Sequence, residues 1–274
     1  MIIYIFTLTI LITFVIWGKP LVPHEATFDL LKDLSIVGIG AILGIGIKTV
    51  LDLKDKLWVC AVAKLRYHDT YIRVSVAYLF KIYVDGKYLL VKGRNIEQLQ
   101  PVGGVYKRLP ESSKLFNELV ILDDKEIPIC DTSRHDLRIR VKGKNLHKFI
   151  SWFESKQDRE ISHWREFCEE LVQPGHLSID NFPHINYRYL HQNPFYLHWS
   201  PYYKCPEVLI HEVYELIPNE KQLQELKNLT ASSSTDYQWV DEDTIERLGR
   251  SNGTKPFAVA EHANTLFSKG FKVN

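Results

Sequence analysis

The chain has 274 residues, a formal net charge of +1 and 24% charged residues. That balance argues against a disordered or fibrous chain, and it gives no broad electrostatic case for binding duplex nucleic acid. Four cysteines, Cys60, Cys130, Cys168 and Cys205, stand apart with no CxxC pair, which argues against a cysteine zinc site and a disulfide framework and fits a reducing compartment.

Residues 2–17, IIYIFTLTILITFVIW, carry no charge. At ~1.5 Å per residue they make a helix of roughly 24 Å, short for a ~30 Å hydrocarbon core but extendable through Gly18. A secretory signal peptide would want a basic leading region and a small-residue cleavage site, and neither is present. A second apolar run, LSIVGIGAILGIGIKTVL, covers residues 34–51; its spacing is wrong for GxGxxG. Gly40 and Gly44 share a helix face, where small residues let two backbones approach closely in lipid, and Lys48 can snorkel to headgroups. The rival is a glycine-rich buried helix, at ~1 kcal/mol per water-exposed glycine. These features predict a two-helix transmembrane region over residues 1–56, in contact with membrane lipid. Lys48, Lys54, Lys56, Lys64 and Arg66 then predict a multi-pass inner-membrane protein whose C-terminal domain, residues 57–274, lies in the cytoplasm.

From Tyr71 the pattern turns to period two with β-branched and aromatic content. YIRVSVAYLFKIYV and KYLLVKG flank Asp85-Gly86, the chemistry of a tight hairpin turn. Gly103-Gly104 allow sharp backbone geometry. ELVILDD, a strand at DLRIRVKG and a helix at NLHKFISWFES follow. HINYRYLHQ, FYLHWSPYY and EVLIHEVYELI read as strands, QLQELKNL as a short helix, TASSSTD as a loop, and DEDTIERLG and PFAVAEHANTLF as terminal helices. Interleaved strands and helices predict an α/β/α sandwich around a mixed sheet.

HWREFCEELV, residues 163–172, reads as part of a helix from about Glu160 to Leu171, stopped by Pro174-Gly175. Ile161, Trp164, Phe167, Cys168 and Leu171 form an apolar stripe. Glu166, Glu169 and Glu170 fall on the opposite side, where like charges three and four residues apart repel by a few tenths of a kcal/mol per pair. A hard divalent ion, which prefers oxygen ligands, or arginines would offset that repulsion.

Arg165-Glu166-Phe167-Cys168-Glu169-Glu170 matches REUxEE, the core of the Nudix box, where U is a large apolar residue. Strands before Gly103-Gly104 and the Trp-bearing segment Tyr237-Gln-Trp-Val-Asp-Glu242 also resemble Nudix domains, in the expected order over residues 68–268. Against the full box, Gx5Ex7REUxEExGU, Gln157 stands at the upstream glutamate, Ser151 at the glycine and Val172 at the downstream glycine. Glu154, Asp158 and Glu160 are candidates for the missing acid, and an insertion around residues 108–150 separates Gly104 from the helix. Two apolar helices before a divergent Nudix-like domain resemble the SMODS-associated Nudix proteins with transmembrane helices, effectors of cyclic-oligonucleotide anti-phage (CBASS) systems.

The resemblance implies that the domain senses a cyclic oligonucleotide made by a partner nucleotidyltransferase, and that the helices disrupt the membrane. It implies a homo-oligomer, and Mg²⁺ as the ion at Glu166, Glu169 and Glu170. Arg134, Arg138 and Arg165 are candidate phosphate ligands, because arginine forks suit phosphate oxygens. Arg138 and Arg140 share a face if DLRIRV is a strand. Tyr187, Tyr189 and Trp199 are candidates for stacking on bases. The alternative is a membrane-anchored hydrolase in which the three glutamates hold Mg²⁺ against a nucleoside diphosphate compound.

Overall fold

The computed structural model describes residues 2–22, 25–93, 97–125, 133–232, 234–250 and 254–267. The chain divides into two compact units, residues 1–57 and 58–274. The first contains helix α1 (Ile2–Trp17) and most of α2 (Glu25–Arg66). Within it Phe14 meets Phe28 at a ring separation of 6.1 Å, and Leu11 lies against Gly38. Both apolar runs are therefore helical, as their composition predicts.

The membrane expectation fails. Among the described residues no helix is long and apolar enough to cross a membrane. α1 has 16 residues. In α2 the uncharged stretch between Asp33 and Lys48 covers residues 34–47, roughly 21 Å of rise against the ~30 Å of a hydrocarbon core. This overturns the two transmembrane helices, and with them the multi-pass inner-membrane placement. Among the described residues of the chain, a Cβ added at Gly40 would meet nothing within 4 Å; the surroundings of Gly44 lie outside the described residues.

The second unit begins in the last turns of α2, whose Val59 and Ala63 are buried in its core. Its elements follow in order: β1 (Tyr71–Lys81), β2 (Tyr83–Val84), β3 (Lys87–Lys92), β4 (Leu99–Pro101), β5 (Gly103–Val105), α3 (Ser113–Glu118), β6 (Leu122–Asp123), β7 (Arg138–Lys142) and α4 (Leu146–Ser155). Then come α5 (Trp164–Phe167), β8 (Tyr187–Gln192), β9 (Leu197–Ser200), β10 (Cys205–Leu216), α6 (Glu220–Thr230), β11 (Tyr237–Val240) and α7 (Glu242–Glu246).

The main sheet has seven strands in the order β6-β7-β1-β10-β8, with β5 also on β1 and β9 also on β10. β1 and β10 run parallel and the other pairs antiparallel, so the sheet is mixed, as the interleaved pattern predicts. β1 is buried on both faces along nearly its whole length, as a central strand requires. Asp85 (φ 47°) and Gly86 (φ 84°) close the β2–β3 hairpin with two positive-φ residues, the geometry that Asp-Gly favours. The stretch between Gly104 and the REFCEE segment contributes β6 and β7 to the edge of the main sheet, and α4 buries Leu146, Phe149, Ile150 and Phe153 at helical spacing.

Two features depart from the sequence reading. A second, four-stranded antiparallel sheet, β11-β3-β2 with β4 on β3, carries its own apolar cluster around Leu79, Leu90, Val213 and Ile245. The segment Glu261–Leu266, expected as a terminal α-helix, is 3₁₀.

Candidate functional site

The REFCEE segment is shorter than a helix from Glu160 would be, and its last turn is wider than an α-helical one. The α-helix starts at Trp164, and Cys168–Val172 forms a π-helical turn; such turns are rare and gather at functional sites. Phe167 and Leu171 are buried, but Ile161 is 64% exposed and lies outside the apolar stripe. Glu166 does not face solvent either. It is 8% exposed, with its backbone N–H directed to the Tyr78 hydroxyl at 3.3 Å. The glycine pair explains this burial. A Cβ at Gly104 would overlap the Glu166 carboxylate, so only glycine lets β5 and the acid meet; Gly103 (φ 140°) has its own position crowded by the Tyr78 carbonyl.

Arg165 supplies the compensating charge. Its Nη1 lies 2.5 Å from Glu166 Oε1 and 3.3 Å from Glu169 Oε1. Its Nε and Nη2 grip both oxygens of Glu160 at 3.0 Å, and Nη2 also donates to the Val105 carbonyl at 2.9 Å. Burial works against the guanidinium's charge, but the Glu160 hydrogen bonds and the Glu166 charge outweigh it and hold its pKa above the usual range. Glu160 therefore acts as the upstream acid for Arg165, while Gln157, Ser151, Glu154 and Asp158 are exposed. Glu160 also accepts from the Lys107 backbone N–H at 3.2 Å, tying the loop to the run that continues β5. Glu170 Oε2 accepts from Gly103 N–H at 2.8 Å.

This donor set does not fit a divalent ion as arranged. The guanidinium sits between Glu166 and Glu169, where a cation would bridge them, and Glu170 turns to a backbone amide. Among the described residues no three His, Cys, Asp or Glu side chains come together in a metal-holding group. Nudix domains commonly use divalent metals; here an arginine of the same motif offsets part of the charge.

The other two predicted arginines lie beside this cluster. Arg134 and Arg138 line a pocket of about 80 Å³ with Arg108, Ser133, His135 and three aspartates, Asp123, Asp124 and Asp136. Arg108 Nη2 donates to Asp123 at 2.9 Å while its guanidinium rests on the Phe116 ring. Arg138 lies 3.3 Å from Asp136, and Lys107 Nζ 3.0 Å from the same carboxylate. Burial pushes the Asp136 carboxyl up, against the pull of Lys107 and Arg138. Asp124 is held from behind by the buried Arg73 at 2.8 Å; Arg73 also pairs with Glu207 and stacks under Tyr203. Arg138 and Arg140 alternate with buried Ile139 and Val141, so they do share a face of β7. Of the predicted stacking residues, Tyr189 and Trp199 are exposed and Tyr187 packs into the core.

A further group escaped the sequence reading. Tyr106 and Tyr214 both donate to Glu212 Oε2, and Tyr106 Oη lies 2.7 Å from His163 Nε2. One signal was legible: Val208, Ile210, Glu212, Tyr214 and Leu216 share one face of β10, and Glu212 is the lone charge on it.

The family model for the SMODS-associated NUDIX domain matches residues 71–267. No curated protein and no solved structure matches the chain. The matched span runs from the first residue of β1, through the glycine pair of β5 and the Arg165 cluster, to the end of the described residues, and it covers well over half of the sequence: the chain belongs to the SMODS-associated NUDIX domain family.

Proposed function

We propose that the domain is the sensing part of a CBASS-type effector, and that it binds a cyclic oligonucleotide without hydrolysing it. The observation that carries this reading is the pairing of an acid cluster gripped by Arg165 with an arginine-lined pocket beside it. In a Nudix hydrolase the glutamates would hold Mg²⁺, which polarises phosphate and activates water. Here Arg165 engages Glu160, Glu166 and Glu169, and its guanidinium occupies the place between Glu166 and Glu169 where a metal would bridge them. In the pocket three arginines meet three aspartates, and two of those aspartates are held by cations from outside it, Asp124 by Arg73 and Asp136 by Lys107. The three guanidiniums give the pocket forked N–H donors that suit phosphate oxygens. Arg134 and Arg138 are the phosphate ligands in this reading, with Arg165 holding the neighbouring loop in place.

The test is calorimetric titration of the full chain with cyclic di- and trinucleotides, in the wild type and in an Arg134→Glu/Arg138→Glu variant. The reading expects one or more of these ligands to bind and the variant to lose that binding. Absence of binding by every cyclic oligonucleotide, or equal binding by the variant, would overturn it.

A further inference from the structure

One extended run serves three places. Val105 gives its carbonyl to Arg165, Tyr106 reaches Glu212, Lys107 reaches Asp136, and Arg108 lines the arginine pocket. Side chains two apart on an extended chain leave the same side, so Tyr106 and Arg108 diverge from points roughly 7 Å apart, about the scale of one nucleotide.

The Tyr106 end has an unfilled acceptor. Tyr106 Oη and Tyr214 Oη both donate to Glu212 Oε2, the second at 3.0 Å. The Tyr106 proton points to Glu212, so the 2.7 Å contact with His163 is an N–H donated from Nε2, which fixes that tautomer. Burial, and then the nearby Arg159 and Lys156 charges, lower the His163 pKa to about 3 and keep the ring neutral. The carboxylate is thus held in one orientation by two hydroxyls. Its other oxygen, Oε1, accepts no hydrogen bond among the described residues, although Glu212 is half-buried. Beside it, on β8, Tyr189 is 52% exposed and its ring stands 5.6 Å from that of Tyr214. Tyr189 pairs directly with Tyr214, two residues along β10 from Glu212 and on the same face, so its ring and the carboxylate are neighbours; burial raises the Tyr189 phenol pKa and the Glu212 charge raises it further. Gln192 is paired directly opposite Glu212.

We propose that this corner is a nucleobase subsite, in which Tyr189 stacks on a base and Glu212 Oε1 accepts a hydrogen bond from the base's exocyclic amine. The proposal rests on the cyclic-oligonucleotide reading above and names what that reading leaves open, the base. An ionised carboxylate only accepts. Facing the amine of adenine, guanine or cytosine it is satisfied; facing the O4 carbonyl of uracil, a half-desolvated acceptor meets an acceptor, which binding sites of this kind reject strongly.

The experiment titrates the full chain with 3′,3′-cyclic di-AMP, cyclic di-GMP and cyclic di-UMP, in the wild type and in Glu212→Gln. The wild type should favour an amine-bearing ligand over cyclic di-UMP by at least roughly tenfold. In Glu212→Gln the amide oxygen can still accept from the two tyrosines, leaving an N–H₂ donor toward the base. The preference should then shrink or invert toward uracil, with thermal stability near that of the wild type. If the wild type binds cyclic di-UMP as well as or better than the others, the subsite is wrong while the sensing function stands, and this comparison needs no variant to fold. An unchanged preference in a folded Glu212→Gln protein overturns the subsite in the same way. If none of the three ligands binds, the subsite falls; the wider cyclic di- and trinucleotide titration then decides whether the sensing function falls with it.

Discussion

The Arg165 cluster and the Arg134 pocket are built from the same two kinds of charge in different proportions. In the first, one guanidinium serves three carboxylates and a backbone carbonyl, packed against glycines so that little room remains. In the second, three arginines stand around a cavity and part of the acidic charge is held from outside. The first region carries the recognisable motif and the second does not. What the residues of a motif do depends on which partners reach them. Here the arginine inside the motif meets the charge that a metal would otherwise meet.

Acid offers the bluntest way to break the comparison. His163, next to Arg165's helix, and the buried pair His211 and His262 all have lowered pKa values, about 3, 3 and 4, mainly through burial. Between those values and 6.5 the unfolded chain binds more protons than the folded one. Stability should therefore be full above about pH 6.5 and fall as the pH drops toward 4, by up to ~1.4 kcal/mol per pH unit for each histidine. Urea unfolding at a series of pH values checks this; a flat profile from pH 7 to pH 5 would contradict it.

Next in size, Arg165→Met should lose roughly 3 kcal/mol, because it leaves partly buried carboxylates without their cation. The same variant sharpens the comparison further. Mg²⁺ should raise the melting temperature of Arg165→Met and leave that of the wild type unmoved. If Mg²⁺ stabilises both equally, the guanidinium does not stand in for an ion. Gly104→Ala should lose roughly 2 kcal/mol by overpacking, since its Cβ meets the Glu166 carboxylate. Smallest in stability, Arg134→Glu/Arg138→Glu should stay within about 1 kcal/mol of the wild type, because Arg134 is exposed and Arg138 only partly buried. Its effect belongs to ligand binding, and a large loss of stability would mean that these arginines serve the fold.

Much of the framework was legible in the sequence. Alternation marked β1, β8 and β10, Asp85-Gly86 marked the hairpin, and the REFCEE core located the acid cluster. The parts that stayed hidden depend on distance along the chain or on charge balance. Glu160 was one of three candidate acids, and only folding selects it, because the loop before α5 turns its carboxylate onto Arg165. Tyr106 and Glu212 are 106 residues apart, and no local pattern joins them. The π-helical turn follows from packing Phe167 and Leu171 into the core while Glu170 turns back to Gly103, which periodicity alone does not encode. The apolar runs at the N-terminus showed their helicity through composition, but composition overstated their reach. The stretch between Asp33 and Lys48 is shorter than a bilayer core.

The most direct test of binding without hydrolysis is to incubate the full chain with the tightest-binding cyclic oligonucleotide, in Mg²⁺ and in EDTA, and to weigh the recovered ligand by mass spectrometry while measuring its affinity in both buffers. The account predicts one affinity, indifferent to EDTA, and a ligand recovered at its original mass. A ligand opened or cleaved in Mg²⁺ and intact in EDTA would contradict it, and would return the glutamates of REFCEE to the role of metal ligands in a hydrolase.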